Sequence, residues 1–304
     1  MESLPDAVIG HVREVVMEPD FSGSRYELLG EIGSGGMGVV YLGLDKELGR
    51  RVALKVLRIL DAGGQAAQRM ADEARVLARL EHPGIVPVHD LGTLPDGRIF
   101  YAMKFVAGTR LDRYAQGEAP LADRLRVFLR ICETVSFAHS QDVIHRDLKP
   151  ANIMVGPYGE VLVLDWGVAK IAGLANESLL AVGTPGYMAP EQAAGNVDQV
   201  DARSDIYALG KTLEGLLATR GSQIPKRLQA IWKKAASADR ATRYATVPDL
   251  AREIERFQSG EPVLAYRETI VERLGRLVSR NRTLVMLVAA YLAMRILLFL
   301  FTRR

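Results

Sequence analysis

The sequence predicts an α+β protein of two lobes, a small β-rich lobe followed by a larger helical one. Short apolar runs broken by glycine-rich or charged turns fill the first third of the chain. Beyond Gly108 the pattern changes to long segments with helical spacing. Layers of this kind are stable when each buries one apolar face on its neighbour. With 304 residues, 48% hydrophobic and 25% charged, the chain has apolar material for a core of that size.

Taken in order, residues 1–24 are mixed and weakly patterned and read as a mobile leader. Their first residues lack the basic region and apolar run of a secretory signal. Strands are predicted over 26–32, 39–44 and 52–57. Helical spacing over 65–80 puts Met70, Val76, Leu77 and Leu80 on one buried face. Two more strands, 86–91 and 99–105, flank the turn Pro95-Asp96-Gly97. Helices are predicted over 121–140, 206–218, 226–236 and 247–257. The expected divisions are a folded domain over 25–258 (small lobe 25–105, helical lobe 106–258), a basic segment over 259–282, and an apolar helix over 283–301.

The formal charge of +3 does not argue for nucleic acid, and none is expected as a partner. A single cysteine, Cys132, lies in an apolar helical pattern, so neither a disulfide framework nor a thiolate metal site is available.

The chemistry concentrates in His145-Arg146-Asp147-Leu148-Lys149-Pro150-Ala151-Asn152, followed by Asp165-Trp166-Gly167. A carboxylate, an ammonium and a carboxamide share one tight loop, with a second carboxylate a short way on. Moving a phosphoryl group from a magnesium nucleotide needs that set: a base for the attacking hydroxyl, a cation for the moving charge, and oxygen ligands for the metal. Upstream, Gly33-Ser34-Gly35-Gly36-Met37-Gly38 joins two predicted strands, and glycines there let backbone N–H groups approach a polyphosphate. The dinucleotide-binding version of that glycine pattern opens a helix; here Val39-Val40-Tyr41-Leu42 continues as a strand. Val52-Ala53-Leu54-Lys55 ends an apolar run on a lysine, which needs a counter-charge if it faces inward.

These motifs together resemble the protein-kinase signature. The run Gly183-Thr184-Pro185-Gly186-Tyr187-Met188-Ala189-Pro190-Glu191 and the Gly-Gly-Met-Gly loop bring the resemblance closest to bacterial eukaryote-like (Hanks-type) serine/threonine protein kinases, over roughly residues 26–257. The resemblance implies transfer of the γ-phosphate of ATP to serine or threonine hydroxyls of proteins, autophosphorylation included. It implies Asp147 as base, with Lys149 and Lys55 offsetting charge. Asn152 and Asp165 would hold Mg2+, or Mn2+ in its place. It assigns Ile32, Gly33, Ser34, Gly35, Gly36, Met37, Gly38, Val40, Ala53, Lys55, Glu73, Met103, Lys104 and Val106 to the nucleotide site. Glu73 is the expected partner of Lys55, with Asp72 adjacent. Thr184 is expected to touch Asp147 and Lys149, and Ser178 is expected as a regulatory phosphosite. Asp205 would brace the catalytic loop, Arg146 would pair with a phosphorylated segment, and Glu191 would pair with Arg243.

Three departures stand out. Trp166 replaces the usual phenylalanine, Lys104 stands where relatives often carry an acidic residue, and no Pro-Pro-Phe turn and docking helix separate 206–218 from 226–236. A rival reading is a nucleotide-binding pseudokinase that scaffolds partners at a membrane. A homodimer is compatible with either.

Residues 284–301 form an apolar run near the length that crosses a bilayer. A central Arg295 costs about 2.5–3.5 kcal/mol, against about 0.3–0.6 kcal/mol gained per large apolar residue. A transmembrane helix over 283–301 is therefore expected. Arg267, Arg273, Arg276, Arg280 and Arg282 on one side, against Arg303 and Arg304 on the other, favour a cytoplasmic catalytic side in a single-pass bacterial membrane protein.

Overall fold

The computed structural model describes residues 18–35, 38–58, 64–166, 170–171, 184–218, 223–273 and 282–302. The early strand patterns close into a five-stranded sheet of order β1-β2-β3-β5-β4. Its strands are β1 (Tyr26–Ser34), β2 (Gly38–Asp45), β3 (Arg50–Leu57), β4 (Val88–Thr93) and β5 (Ile99–Lys104), and every neighbouring pair is antiparallel. Because side chains alternate along a strand, Val52, Leu54 and Val56 of β3 meet Phe100 and Ala102 of β5 in one cluster on one face. The opposite parity sends Lys55 and Tyr101, direct cross-strand partners, toward helix α1 (Gln65–Arg79). The helix buries Met70, Ala74 and Leu77, at the spacing of one apolar stripe.

The end of the expected mobile leader is packed. Phe21 is buried and meets the Phe100 ring edge-on at 4.8 Å, and Arg98 donates to the Glu18 carbonyl. Phe21 joins Tyr26, Leu94 and Phe100 in the cluster on the outer face of the sheet.

The helical lobe is built on α2 (Leu111–Gln116), α3 (Leu121–Ser140), α4 (Pro190–Ala193), α5 (Ala202–Leu217), α6 (Lys226–Ala235) and α7 (Val247–Gln258). In α3, Leu125, Phe128, Ile131, Cys132 and Val135 form the buried face. Helix α5 starts on an Asp201 cap accepting the Arg203 N–H, and α7 on a Thr246–Asp249 capping box. Among the described residues no helix intervenes between α5 and α6; positions 219–222 lie outside the described residues. Two small sheets shape the chain between α3 and α4, one of them joined by a strand that precedes α2. One pairs β6 (Thr109–Arg110), β8 (Ile153–Val155) and β9 (Val161–Val163); the other pairs β7 (Val143–Ile144) with β10 (Lys170–Ile171). These short strands escape periodicity, since two or three residues show no alternation to read.

Beyond α7 the basic segment is not free at its start. The buried Glu253 carboxylate accepts the N–H groups of Leu264 and Ala265, and Val263 is buried. The C-terminal apolar run forms helix α8 (Arg282–Thr302), with Met286, Leu287, Leu292, Leu298 and Phe299 exposed. Among the described residues, no helix is long and apolar enough to cross a membrane. The expected transmembrane span is thus an exposed apolar helix here. Its apolar weight in the sequence rested partly on positions 284, 285, 289, 296, 297, 300 and 301, whose side chains lie outside the described ones.

Candidate active site

The cleft between the lobes collects the motif residues. On the small-lobe side, β1 and β2 pair with irregularities at Leu28/Gly30 and Glu31/Gly33, and the Gly35 N–H donates to the Gly38 carbonyl. Gly38 must be glycine for a local reason: a Cβ there would lie 2.4 Å from the Val56 carbonyl oxygen. Ile32 is exposed, while Gly33 and Ser34 end β1. Gly36 and Met37, both expected at the nucleotide, lie outside the described residues. Val40 pairs with Lys55 and Ala53 with Met103, so these four positions share adjoining strands. Lys104 is exposed, and its N–H donates to the Pro87 carbonyl; Val106 follows just beyond β5.

Lys55 is buried and reaches both lobes. Its ammonium donates to Glu73 Oε1 at 2.8 Å and Oε2 at 2.9 Å, and to Asp165 Oδ1 at 3.3 Å. Burial works against its charge, yet the Glu73 and Asp165 carboxylates outweigh that penalty and hold its pKa well above the ordinary lysine range. Asp72 turns outward to Gln68 and Arg75, which decides between the two adjacent carboxylates. Tyr101, not singled out by the sequence, donates its hydroxyl to Glu73 Oε1 at 3.0 Å.

On the large-lobe side the catalytic-loop residues converge. Lys149 Nζ donates to Asp147 Oδ2 at 2.7 Å and to Thr184 Oγ1 at 2.6 Å, and the Thr184 hydroxyl donates to Asp147 Oδ1 at 3.1 Å. Asn152 Nδ2 donates to the Asp147 carbonyl at 3.0 Å and to its Oδ2 at 3.3 Å. Two residues beside this network hold left-handed backbone, Arg146 at φ 68° and Asp165 at φ 55°. Non-glycine residues adopt that region only when their surroundings over-determine it. Asp205 does this for the loop: it accepts the N–H groups of His145 at 2.9 Å and Arg146 at 2.8 Å, and His139 Nε2 lies 2.8 Å away. Although burial pushes the Asp205 carboxyl upward, its bonds to His139 and the loop amides outweigh this and hold its pKa below the ordinary range. Gln192 adds a donor to the Arg146 carbonyl.

His145 is oriented from both sides. Its Nδ1 accepts from the Asp147 N–H, and its Nε2 faces the Leu164 carbonyl at 3.0 Å, which makes Nε2 the protonated nitrogen. Trp166 is buried beside it, with ring centres 4.6 Å apart and Nε1 donating to the Val163 carbonyl. The larger aromatic therefore keeps a packing role. Glu191 and Arg243 meet in a buried, two-pronged pair at 2.7 and 2.8 Å. Arg146 is buried, and burial lowers its guanidinium pKa. Ser178, Gly167 and Gly183 lie outside the described residues.

Comparison with known proteins agrees with this geometry. The family described as protein kinase domain matches residues 26–256. The chain is 34% identical over 297 residues to serine/threonine-protein kinase PknD of Protochlamydia amoebophila, a match covering 77% of this chain and 30% of that protein. It is 35% identical over 280 residues to serine/threonine-protein kinase PknB of Mycobacterium tuberculosis, covering 80% of this chain and 44% of that one. The chain thus spans less than half the length of these curated relatives. A crystal structure of the Mycobacterium tuberculosis PknI kinase domain superposes with a TM-score of 0.57 at 27% identity, covering 76% of this chain and 95% of the other. With a two-lobed fold, a lysine bridging two carboxylates and a family match across both lobes, this chain belongs to the protein kinase family.

Proposed function

We propose that the chain is a serine/threonine protein kinase that transfers the γ-phosphate of ATP to protein hydroxyls, its own activation segment included. The observation that carries this reading is the Asp147 carboxylate held between Lys149, Thr184 and Asn152. Asp147 accepts the proton of the attacking hydroxyl as the new oxygen–phosphorus bond forms and the bond to the ADP oxygen breaks. Lys149 sits on the same carboxylate and offsets charge on the moving phosphoryl group. Lys55, fixed by Glu73, offsets charge on the remaining phosphates.

The donor set fits a hard divalent ion. Asn152 spends its Nδ2 on Asp147, which leaves its carbonyl oxygen for a metal. Asp165 is half exposed and has only Oδ1 on Lys55, leaving Oδ2. Two oxygens completed by water and phosphate suit Mg2+, and Mn2+ in its place. The ion, when bound, would neutralise phosphate charge. Among the described residues there is no group of three His, Cys, Asp or Glu that could hold a metal by itself. The rival reading, a pseudokinase scaffold, draws on Trp166 and the missing docking helix; against it, Lys55, Glu73, Asp147, Lys149, Asn152 and Asp165 are all present.

Phosphoamino-acid analysis after incubation of the full chain with γ-labelled ATP and Mg2+ tests the reading. Label on serine or threonine is expected; absence of label, or label on tyrosine alone, overturns it.

A finer part of the proposal concerns location. The exposed apolar side chains of α8 and the arginines before it support attachment to a membrane, with the lobes on the cytoplasmic side. Fractionation of the chain with and without residues 282–304 reads this out. Equal membrane retention of both removes the attachment role of α8.

A further inference from the structure

Tyr101 belongs to the core by its burial and to the site by its hydroxyl. Cross-strand pairing of Lys55 with Tyr101 puts both side chains on the face of the sheet that α1 covers. There the Tyr101 O–H and the Lys55 ammonium both donate to Glu73 Oε1, at 3.0 and 2.8 Å. All three residues are buried, at 1%, 7% and 3% exposure for Tyr101, Lys55 and Glu73.

The Lys55 ammonium is shared, since it also faces Asp165 across the cleft at 3.3 Å. A buried carboxylate served only by a shared cation loses its compensation whenever that cation turns to another anion. Tyr101 supplies a donor that is fixed in the sheet, with the Lys55 ammonium 5.6 Å from the centre of its ring. Burial keeps the phenol far above its ordinary pKa, so it remains a donor through the neutral range.

We propose that Tyr101 is a positioning residue for phosphoryl transfer, pinning Glu73 through its hydroxyl so that α1 stays against the sheet while Lys55 engages phosphate. The proposal rests on the kinase reading above. A plain packing role needs only the ring, which phenylalanine would supply as well.

The test compares the full chain with Tyr101→Phe, Glu73→Gln and the double variant. Steady-state kinetics should show kcat/KM for ATP falling about tenfold in Tyr101→Phe, the size of a lost bond to a charged acceptor. In the Glu73→Gln background the same change should shift kcat/KM by less than about twofold, because the pair acts as a unit. An equal loss in both backgrounds, or no loss in either, overturns the proposal. Hydrogen exchange supplies a readout independent of turnover: amides of α1 should exchange about tenfold faster in Tyr101→Phe. Unchanged exchange of α1 overturns the positioning role whether or not the wild-type chain turns over ATP. Absence of turnover in the wild type, with faster exchange in the variant, would overturn the kinase reading alone.

Discussion

Removing Arg243 gives the sharpest test of how the catalytic half is held together. Its guanidinium donates to both Glu191 oxygens and to the carbonyls of Ser237, Arg203 and Ala238. The side chain is 0% exposed and that of Glu191 5%. In Arg243→Ala the Glu191 carboxylate stays buried with only the Ser204 hydroxyl as a side-chain donor. An uncompensated buried charge of this kind costs about 3–5 kcal/mol. For a domain of this size each kcal/mol lowers Tm by roughly 2–4 °C, so a drop of roughly 6–20 °C is expected in a calorimetric or circular-dichroism melt at neutral pH. The sign with pH follows from Glu191. Burial raises its pKa, but the Arg243 and Ser204 bonds win and leave it lowered. Stability from the pair is therefore present above the ordinary glutamate pKa of about 4.3 and lost as pH falls through the folded value. The gap between wild type and Arg243→Ala should narrow in acid. A Tm drop below about 2 °C at neutral pH, or a gap that widens in acid, would refute the reasoning, since it would mean that Glu191 is not a buried anion needing this partner.

Three further outcomes are expected. Asp205→Asn turns an amide N–H2 toward a backbone N–H that now donates to carboxylate oxygen, so it should lower the denaturant midpoint by about 1–3 kcal/mol equivalent; an unchanged midpoint speaks against bracing by Asp205. Gly38→Ala, whose Cβ would meet the Val56 carbonyl, should destabilise by about 1–3 kcal/mol, whereas Gly33→Ala meets open space within 4 Å and should leave the melt nearly unchanged; equal effects would count against the close approach of β2 to β3. Burial lowers the pKa of His82 and of His89, so the stability they contribute is present above the unfolded histidine value of about 6.5 and lost as pH falls below it; a Tm that is flat or rising between about pH 7 and pH 5 would contradict that sign.

Much of the small lobe was legible because its strands are apolar runs bounded by glycine-rich or charged turns. The five strands and α1 appear where those runs and the helical spacing put them, within a few residues. The choice of Glu73 over Asp72 is explained only in three dimensions: on α1 one carboxylate faces the sheet and its neighbour faces water. Tyr101 was hidden for a related reason. Its parity could be read within β5, but its nearness to Lys55 depends on β3 pairing with β5 in one register, which no local pattern specifies. The His139 contact to Asp205 joins residues 66 positions apart. Phe21 looked unpatterned because a lone aromatic outside any strand has no periodicity, although it completes the outer core. At the other end, apolar composition alone pointed to a membrane span, and composition cannot say which side chains a helix presents.

The central claim is that Asp147 is the base of a phosphotransfer site. Initial rates of phosphate transfer from Mg-ATP by the full chain, wild type against Asp147→Asn, test it most directly. Asparagine preserves the shape and keeps one oxygen, enough for the Lys149 contact now made to Oδ2 or the Thr184 contact now made to Oδ1, but cannot take the hydroxyl proton. The account predicts a fall in kcat of about 10²–10⁴-fold with KM for ATP little changed. Equal rates for the two proteins would contradict it.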